Sequence, residues 1–191
     1  MSKVVYIVTS NPGKFNELKF LAAKNGIELV PIDAPKLEIQ SEDLEVVASY
    51  AALTASTYVG KALMVEDSGL FIKALNGFPG SMSSYVFRKL GVEGILKLMN
   101  GVVDREAFFK SVIAYSCPES GVKLFHGVVY GEISNSAVGS GGFGFDPIFI
   151  PKGCSRTFAE MSLEEKNELS HRGIAFMNFA KWFNNVFKQH T

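Results

Sequence analysis

The order of segments predicts an α/β fold with a mixed β-sheet flanked by helices. Three observations carry that expectation. A β-branched run at Lys3–Val8 passes directly into residues spaced for a helix, and a second apolar run follows. Strands and helices therefore alternate early, as parallel neighbours require. Farther on, the strand-like runs Ala107–Tyr115 and Val122–Ile133 are parted only by the turn Pro118–Gly121, as antiparallel neighbours require.

Lys3–Val8 is predicted as a buried strand stopped by Thr9-Ser10-Asn11-Pro12-Gly13. Phe15, Leu18, Leu21 and Ala22 mark a helix that Asn25-Gly26 ends, and Ile27–Ile32 is a second strand. Leu44, Val47, Ala48, Ala51, Ala55 and Tyr58 mark another helix, with Glu42 and Asp43 favouring its N-terminus. Ala62–Val65 and Leu70–Leu75 are expected as two strand segments separated by Glu66-Asp67-Ser68-Gly69. Past Asn76-Gly77 and a Gly/Pro/Ser loop come one helical stretch through Leu90 and another over Val92–Met99. Ser134–Pro147 is a glycine-rich loop after the two long strands. Ser162 and Glu165 form a capping box for a short helix, and Phe176, Phe179, Ala180, Phe183 and Phe187 make the buried stripe of the last one. Met82 and Met99 are assigned to packing and His126 to a structural role. No repeat or linker divides the chain, so residues 1–191 are expected as one domain.

Composition narrows the function. A chain of 191 residues, 47% hydrophobic, buries roughly 70% of its unfolded surface without help from disulfides. Nineteen basic residues balance nineteen acidic ones, which disfavours wholesale binding to a nucleic acid polymer or a membrane surface. Two cysteines do not make a secreted disulfide framework, and the apolar run at Val4–Val8 is too short for a signal-peptide core. The expectation is a soluble, cytoplasmic protein.

Four polar constellations stand out. Thr9-Ser10-Asn11-Pro12-Gly13-Lys14, between a strand and a helix, is a natural anion cradle: free backbone N–H groups, the positive helix end and a lysine converge there. It is not a Walker A loop, and taken alone it equally describes an ordinary turn. Asp67, beside Ser68-Gly69, is placed to hold Mg²⁺ or orient a water, or simply to shape a turn. Glu66 should point away from it, because adjacent strand residues face opposite sides. Gly139–Gly144 matches G-x-G-x-x-G, but Pro147 forbids the helix a dinucleotide site needs. That loop instead presents Phe143, Gly144, Phe145 and Asp146, where an aromatic ring stacks on a base and a carboxylate accepts a ring N–H, with one of the two rings expected in the core. Lys166 and Ser170 share a helix face, with His171 and Arg172 at its end, suited to phosphate or to a base carbonyl, or else a solvated helix terminus.

These four stretches occur in the order and spacing of the inosine triphosphate pyrophosphatases, and the sequence resembles that Ham1-type family over nearly its whole length, its archaeal members particularly. Leu75–Gly80 and Arg156–Met161 support the resemblance. It implies a long mixed sheet in two lobes with a central cleft, a homodimer, and Mg²⁺-dependent hydrolysis of ITP, dITP and XTP to the monophosphate and pyrophosphate. By position, Thr9, Ser10, Asn11, Pro12, Gly13 and Lys14 would cradle the triphosphate of a purine nucleoside triphosphate substrate. Asp67 would bind metal or accept a proton, Glu38 would be a second metal carboxylate, and Ser68 would touch substrate. Phe143, Gly144, Phe145 and Asp146 would hold the base with Lys166, His171 and Arg172, while Mg²⁺, Lys14 and Lys166 would share the phosphate charge.

Two departures accompany the resemblance. Ala48–Thr57 lacks a lysine that many relatives carry, and Gly80–Tyr85 differs from the commoner patterns. The missing lysine motivates a non-catalytic nucleotide sensor as a rival, and the Phe143/Phe145 pair motivates an RNA-binding module. Zero net charge weighs against the second.

Overall fold

The computed structural model describes residues 3–37 and 39–189. Its strands are β1 (Lys3–Ile7), β2 (Ile27–Pro31), β3 (Leu63–Ile72), β4 (Pro79–Gly80), β5 (Glu106–Cys117), β6 (Gly121–Ile133) and β7 (Phe149–Pro151). Its helices are α1 (Pro12–Lys24), α2 (Leu44–Val59), α3 (Ser83–Leu98), α4 (Leu163–Leu169) and α5 (His171–Gln189). The strands join one sheet in the order β2-β1-β3-β5-β6-β7, with β4 paired to β3. β1 runs parallel to β2 and β3, whereas β3, β5, β6 and β7 are antiparallel neighbours. The sheet is mixed because the chain uses both connections: helical crossovers early and a tight hairpin later.

Local chemistry explains the helix ends. Asn11 caps α1, its Oδ1 accepting the Lys14 N–H at 3.0 Å, with Pro12 at the first helical position. Asp43 caps α2 through the Glu45 N–H at 2.8 Å. Ser162 and Glu165 close the expected capping box on α4. α3 is broken at Gly91 (φ 62°, ψ −168°), which yields the two helical stretches expected there.

Three expectations change. The segments placed at Ala62–Val65 and Leu70–Leu75 are one ten-residue strand, β3, because β5 pairs with it continuously from Leu63↔Ser116 to Ile72↔Ala107. Glu66–Gly69 therefore lies inside the ladder, and Lys73–Leu75 turns away as a 3₁₀ segment. Met82 is largely exposed, unlike Met99, which is fully buried. β7, three residues long, is too short for alternation to announce it. The side chain of Phe187 lies outside the description.

Alternation along β3 sends its side chains to two faces. Leu63 and Val65 pack with Val112 and Ala114 against Ala48, Ala51, Ala52 and Ala55 of α2, whose small side chains let the helix lie close. Met64, with Ile113 and Phe125, packs on the opposite face against α1 and the Phe176–Phe179–Phe183 stripe of α5. Leu70, Ile72 and Phe109 build a third cluster with Val86 and Ile95 of α3 and with Phe145, Phe149 and Phe158. No helix among the described residues is long and apolar enough to cross a membrane, and Cys117 and Cys154 are unbridged.

Candidate active site

Where α1, β3, α3 and the start of α5 converge, two hollows adjoin. The more apolar one, about 330 Å³, is walled by Phe87, Phe109, Phe143 and Phe145 and reaches Ser68, His171 and Arg172. The polar one, about 280 Å³, is lined by Thr9, Ser10, Lys36, Asp67 and Arg88 among others. Asn11, Lys14 and Ser84 line both and mark their junction. A larger hollow of about 520 Å³ on the outer side of α1, between Phe20, Ile174 and Met177, holds none of these groups.

Adjacent residues of β3 face the two: Ser68 lines the apolar hollow and Asp67 the polar one. Glu66 and Ser68 point to the α5 face and Asp67 to the α2 face, as strand alternation predicted. Lys14 nevertheless reaches both acids, with Nζ 3.0 Å from Glu66 Oε2 and 3.7 Å from Asp67 Oδ1.

Behind the apolar hollow lies a buried ion network. Arg172, 2% exposed, donates from Nε to Glu66 Oε1 at 3.2 Å, from Nη1 to Glu17 Oε2 at 2.5 Å and from Nη2 to Ser68 Oγ at 2.9 Å. Lys166, 3% exposed, donates to Glu17 Oε1 at 2.6 Å and to Asp146 Oδ2 at 2.5 Å. Asp146 also accepts the Phe143 N–H at 2.7 Å, which fixes the loop. Neither cation is at a solvated helix terminus. Lys166 stands 4.8 Å from the Phe143 ring centroid, on the side of the apolar hollow and not among the residues lining the polar one, where a share in the phosphate charge was expected.

Close packing sets these positions. A Cβ at Gly127 of β6 would collide with the His171 carbonyl oxygen, so glycine there lets the start of α5 rest on the sheet. Gly13 does the same for the Phe143 ring, which lies where a Cβ would be. Phe145 is buried, in T-shaped contact with Phe87, while Phe143 is half-buried; one ring is core and the other a wall, as expected. His171 stacks on Phe109 with centroids 4.7 Å apart.

Electrostatics separates the acids. Burial would raise the Glu66 carboxyl, but Arg172, Lys14 and the Ser111 hydroxyl outweigh it and hold the group far below the ordinary range. Burial raises Asp67, with Lys14 opposing. Burial and the adjacent Arg172 push His171 well down, leaving a neutral imidazole whose buried Nδ1 has no partner among the described residues. The site thus offers neutral hydrogen-bonding groups and guanidinium N–H groups at the apolar end, and cations with one carboxylate at the polar end.

Every sequence-predicted residue except Glu38 belongs to this cleft or the network behind it; Glu38 lies outside the described residues. Glu17, Lys36, Ser84 and Arg88 were missed. Glu17 had one signal, an acid beside Leu18 and Leu21 on the inward face of α1. Lys36 and Arg88 had none, because only tertiary folding brings them to Asp67.

A sequence model of the Ham1 family matches residues 5–182. A dITP/XTP pyrophosphatase of Pyrococcus horikoshii is 51% identical over 178 residues, covering 93% of this chain and 95% of its own. One from Thermococcus kodakarensis is 49% identical over 181 residues, covering 95% and 97%. The solved structure of a HAM1 protein from Coxiella burnetii superposes with a TM-score of 0.85 at 30% identity, over 96% of this chain and 99% of that one. With motifs, sheet and cleft all in agreement, this chain belongs to the Ham1 family.

Proposed function

We propose that this protein hydrolyses non-standard purine nucleoside triphosphates (dITP, ITP and XTP) to the monophosphate and pyrophosphate, clearing them from the nucleotide pool. The observation that carries the reading is the junction of an aromatic hollow and a cationic one at Asn11 and Lys14. A purine ring fits the first and a polyphosphate the second.

Phe143 and its neighbours supply the faces on which a base stacks. Arg172 keeps N–H groups beyond those given to Glu17, Glu66 and Ser68, and these donate to a 6-oxo group. Adenine would present an amino donor to donors, a mismatch that costs orders of magnitude in rate. The Thr9–Lys14 turn meets the phosphates with Lys14 and the N-terminus of α1.

Mg²⁺ suits the polar hollow. It takes one or two carboxylates and completes its shell with waters and substrate phosphates. Asp67 offers a carboxylate at the wall, where it would hold the ion. Glu38 is our second candidate carboxylate. A bound divalent ion supplies neutralisation of the phosphate charge. Water bonds to the α-phosphorus as the bond to the bridging oxygen breaks. Pyrophosphate departs with the electron pair, and the water's proton passes to Asp67 or to bulk water. We also place the two ends of the sheet in two lobes of one domain, and the protein in the cytoplasm as a homodimer.

The test is a substrate panel of dITP, ITP, XTP, GTP and ATP with Mg²⁺ and identification of products. Pyrophosphate from dITP, ITP and XTP, with GTP and ATP far slower, is the expected result. Release of orthophosphate, equal rates on ATP, or tight binding without turnover overturns it.

A further inference from the structure

The cations around the polar hollow come from three separate parts of the chain: Lys14 from α1, Lys36 from the segment after β2, and Arg88 from α3. The only described carboxylate lining the same hollow is Asp67. Arg88 differs from the other two in its surroundings. It makes no ion pair among the described residues, and its single hydrogen bond runs from Nη1 to Ser84 Oγ, one helical turn earlier, at 2.8 Å. An exposed guanidinium without an acid, held beside a cationic hollow, is poised for an external anion.

Its position is built. Ser83 Oγ donates to the Gly80 carbonyl at 2.7 Å and accepts the Leu70 N–H at 2.8 Å, which ties the first turn of α3 to β3. Ser81 Oγ donates to the Ser41 carbonyl at 2.5 Å and links the two banks of the hollow. Ser84, which holds Arg88, lines both hollows.

We infer that Arg88 binds the β- and γ-phosphates of the substrate, the part that departs as pyrophosphate, and so acts as a leaving-group residue. The inference rests on the pyrophosphatase reading above. A nucleotide with its base in the aromatic hollow crosses Asn11 and Lys14 with its α-phosphate and sets its terminal phosphates beyond that junction. Arg88 lines only that far side. As the bond between the α-phosphorus and the bridging oxygen breaks, that oxygen takes the electron pair, and charge develops where the guanidinium can donate two hydrogen bonds.

The experiment compares pyrophosphate and inosine monophosphate binding, by calorimetry with Mg²⁺, in the wild type, Arg88→Ala, Arg88→Lys and Lys89→Ala. Lys89 carries the same charge on the next residue but does not line the hollow. Charge-assisted hydrogen bonds contribute about 1.5–3 kcal/mol, so Arg88→Ala should weaken pyrophosphate binding roughly 10- to 150-fold. Binding of the monophosphate should stay within about twofold, Arg88→Lys should recover part of the loss, and Lys89→Ala should change neither. The kcat/KM for dITP should fall with pyrophosphate affinity. Pyrophosphate binding within twofold of wild type in Arg88→Ala, or equal losses for both ligands, overturns the assignment. A wild-type protein that binds pyrophosphate but turns over no triphosphate refutes the activity while the Arg88 comparison still decides. One that turns over dITP but binds no pyrophosphate overturns the Arg88 assignment and leaves the activity standing.

Discussion

Replacing Glu17 by alanine removes the carboxylate that joins Lys166 to Arg172 and leaves each buried cation one other acid, Asp146 or Glu66. Glu17 accepts from Lys166 at 2.6 Å and from Arg172 at 2.5 Å, through separate oxygens. Two charge-assisted bonds at about 1.5–3 kcal/mol each give roughly 3–6 kcal/mol. Removing one partner of a buried ion pair costs about 3–5 kcal/mol. The surviving acids favour the lower end, about 3 kcal/mol. At roughly 2–4 °C per kcal/mol for a chain of this length, Tm should fall by about 6–12 °C. Thermal unfolding followed by circular dichroism near neutral pH measures this. Glu17→Ala combined with Lys166→Met should lose less than the two single losses added together, since the pair is coupled. A drop below about 2 °C for the single variant would refute the argument that these charges are desolvated and mutually dependent.

Three further outcomes are expected. Asp67→Asn should nearly abolish turnover on dITP yet raise Tm, because burial holds the carboxyl above its ordinary value of 3.8 and its ionised form therefore opposes folding near neutral pH; activity within a few-fold of wild type removes Asp67 from the chemistry. Glu66 has a folded value far below its unfolded 4.5, so its stabilising contribution is complete above that pH and is lost as pH falls beneath it; urea midpoints from pH 7 to 3 should therefore decline less steeply in Glu66→Gln than in wild type, and parallel curves would contradict the assignment. Gly127→Ala should push the start of α5 off β6, raising the KM for dITP with the far-ultraviolet spectrum unchanged; an unaltered KM would show that the contact does not set the position of His171 and Arg172.

Much of this was legible in the sequence for reasons that differ by element. Strands β1, β5 and β6 show long β-branched or alternating runs, and α5 shows its phenylalanine stripe, so local pattern and tertiary role agree. β3 reads as two segments because Glu66-Asp67-Ser68-Gly69 interrupts its apolar pattern, although pairing with β5 holds those residues in extended backbone. The site followed the same rule. Thr9–Lys14 and Phe143–Asp146 are contiguous stretches and could be read directly, as could Ser170–Arg172. Glu17 looked like one more helix glutamate. Its partners lie 149 and 155 residues away, a separation no local pattern encodes.

Equal numbers of acidic and basic residues weigh against wholesale binding to a nucleic acid polymer or a membrane surface but leave local patches open, and the fold sorts those charges by face. On the α5 side of the sheet, Glu17, Glu66 and Asp146 engage Lys166 and Arg172, and Lys14, 3.0 Å from Glu66, supplies the third cation for the three acids. On the α2 side, Lys36 and Arg88 line the same hollow as Asp67, and Lys14 reaches it from the junction. The sorting hinges on adjacent residues of one strand, Glu66 and Asp67, which β5 holds in register at Ile113 and Val112. A slip of one residue would turn Asp67 toward Arg172 and Glu66 toward the phosphate hollow, exchanging the two environments. Selectivity for the base and tolerance of the triphosphate therefore depend on the same strand register.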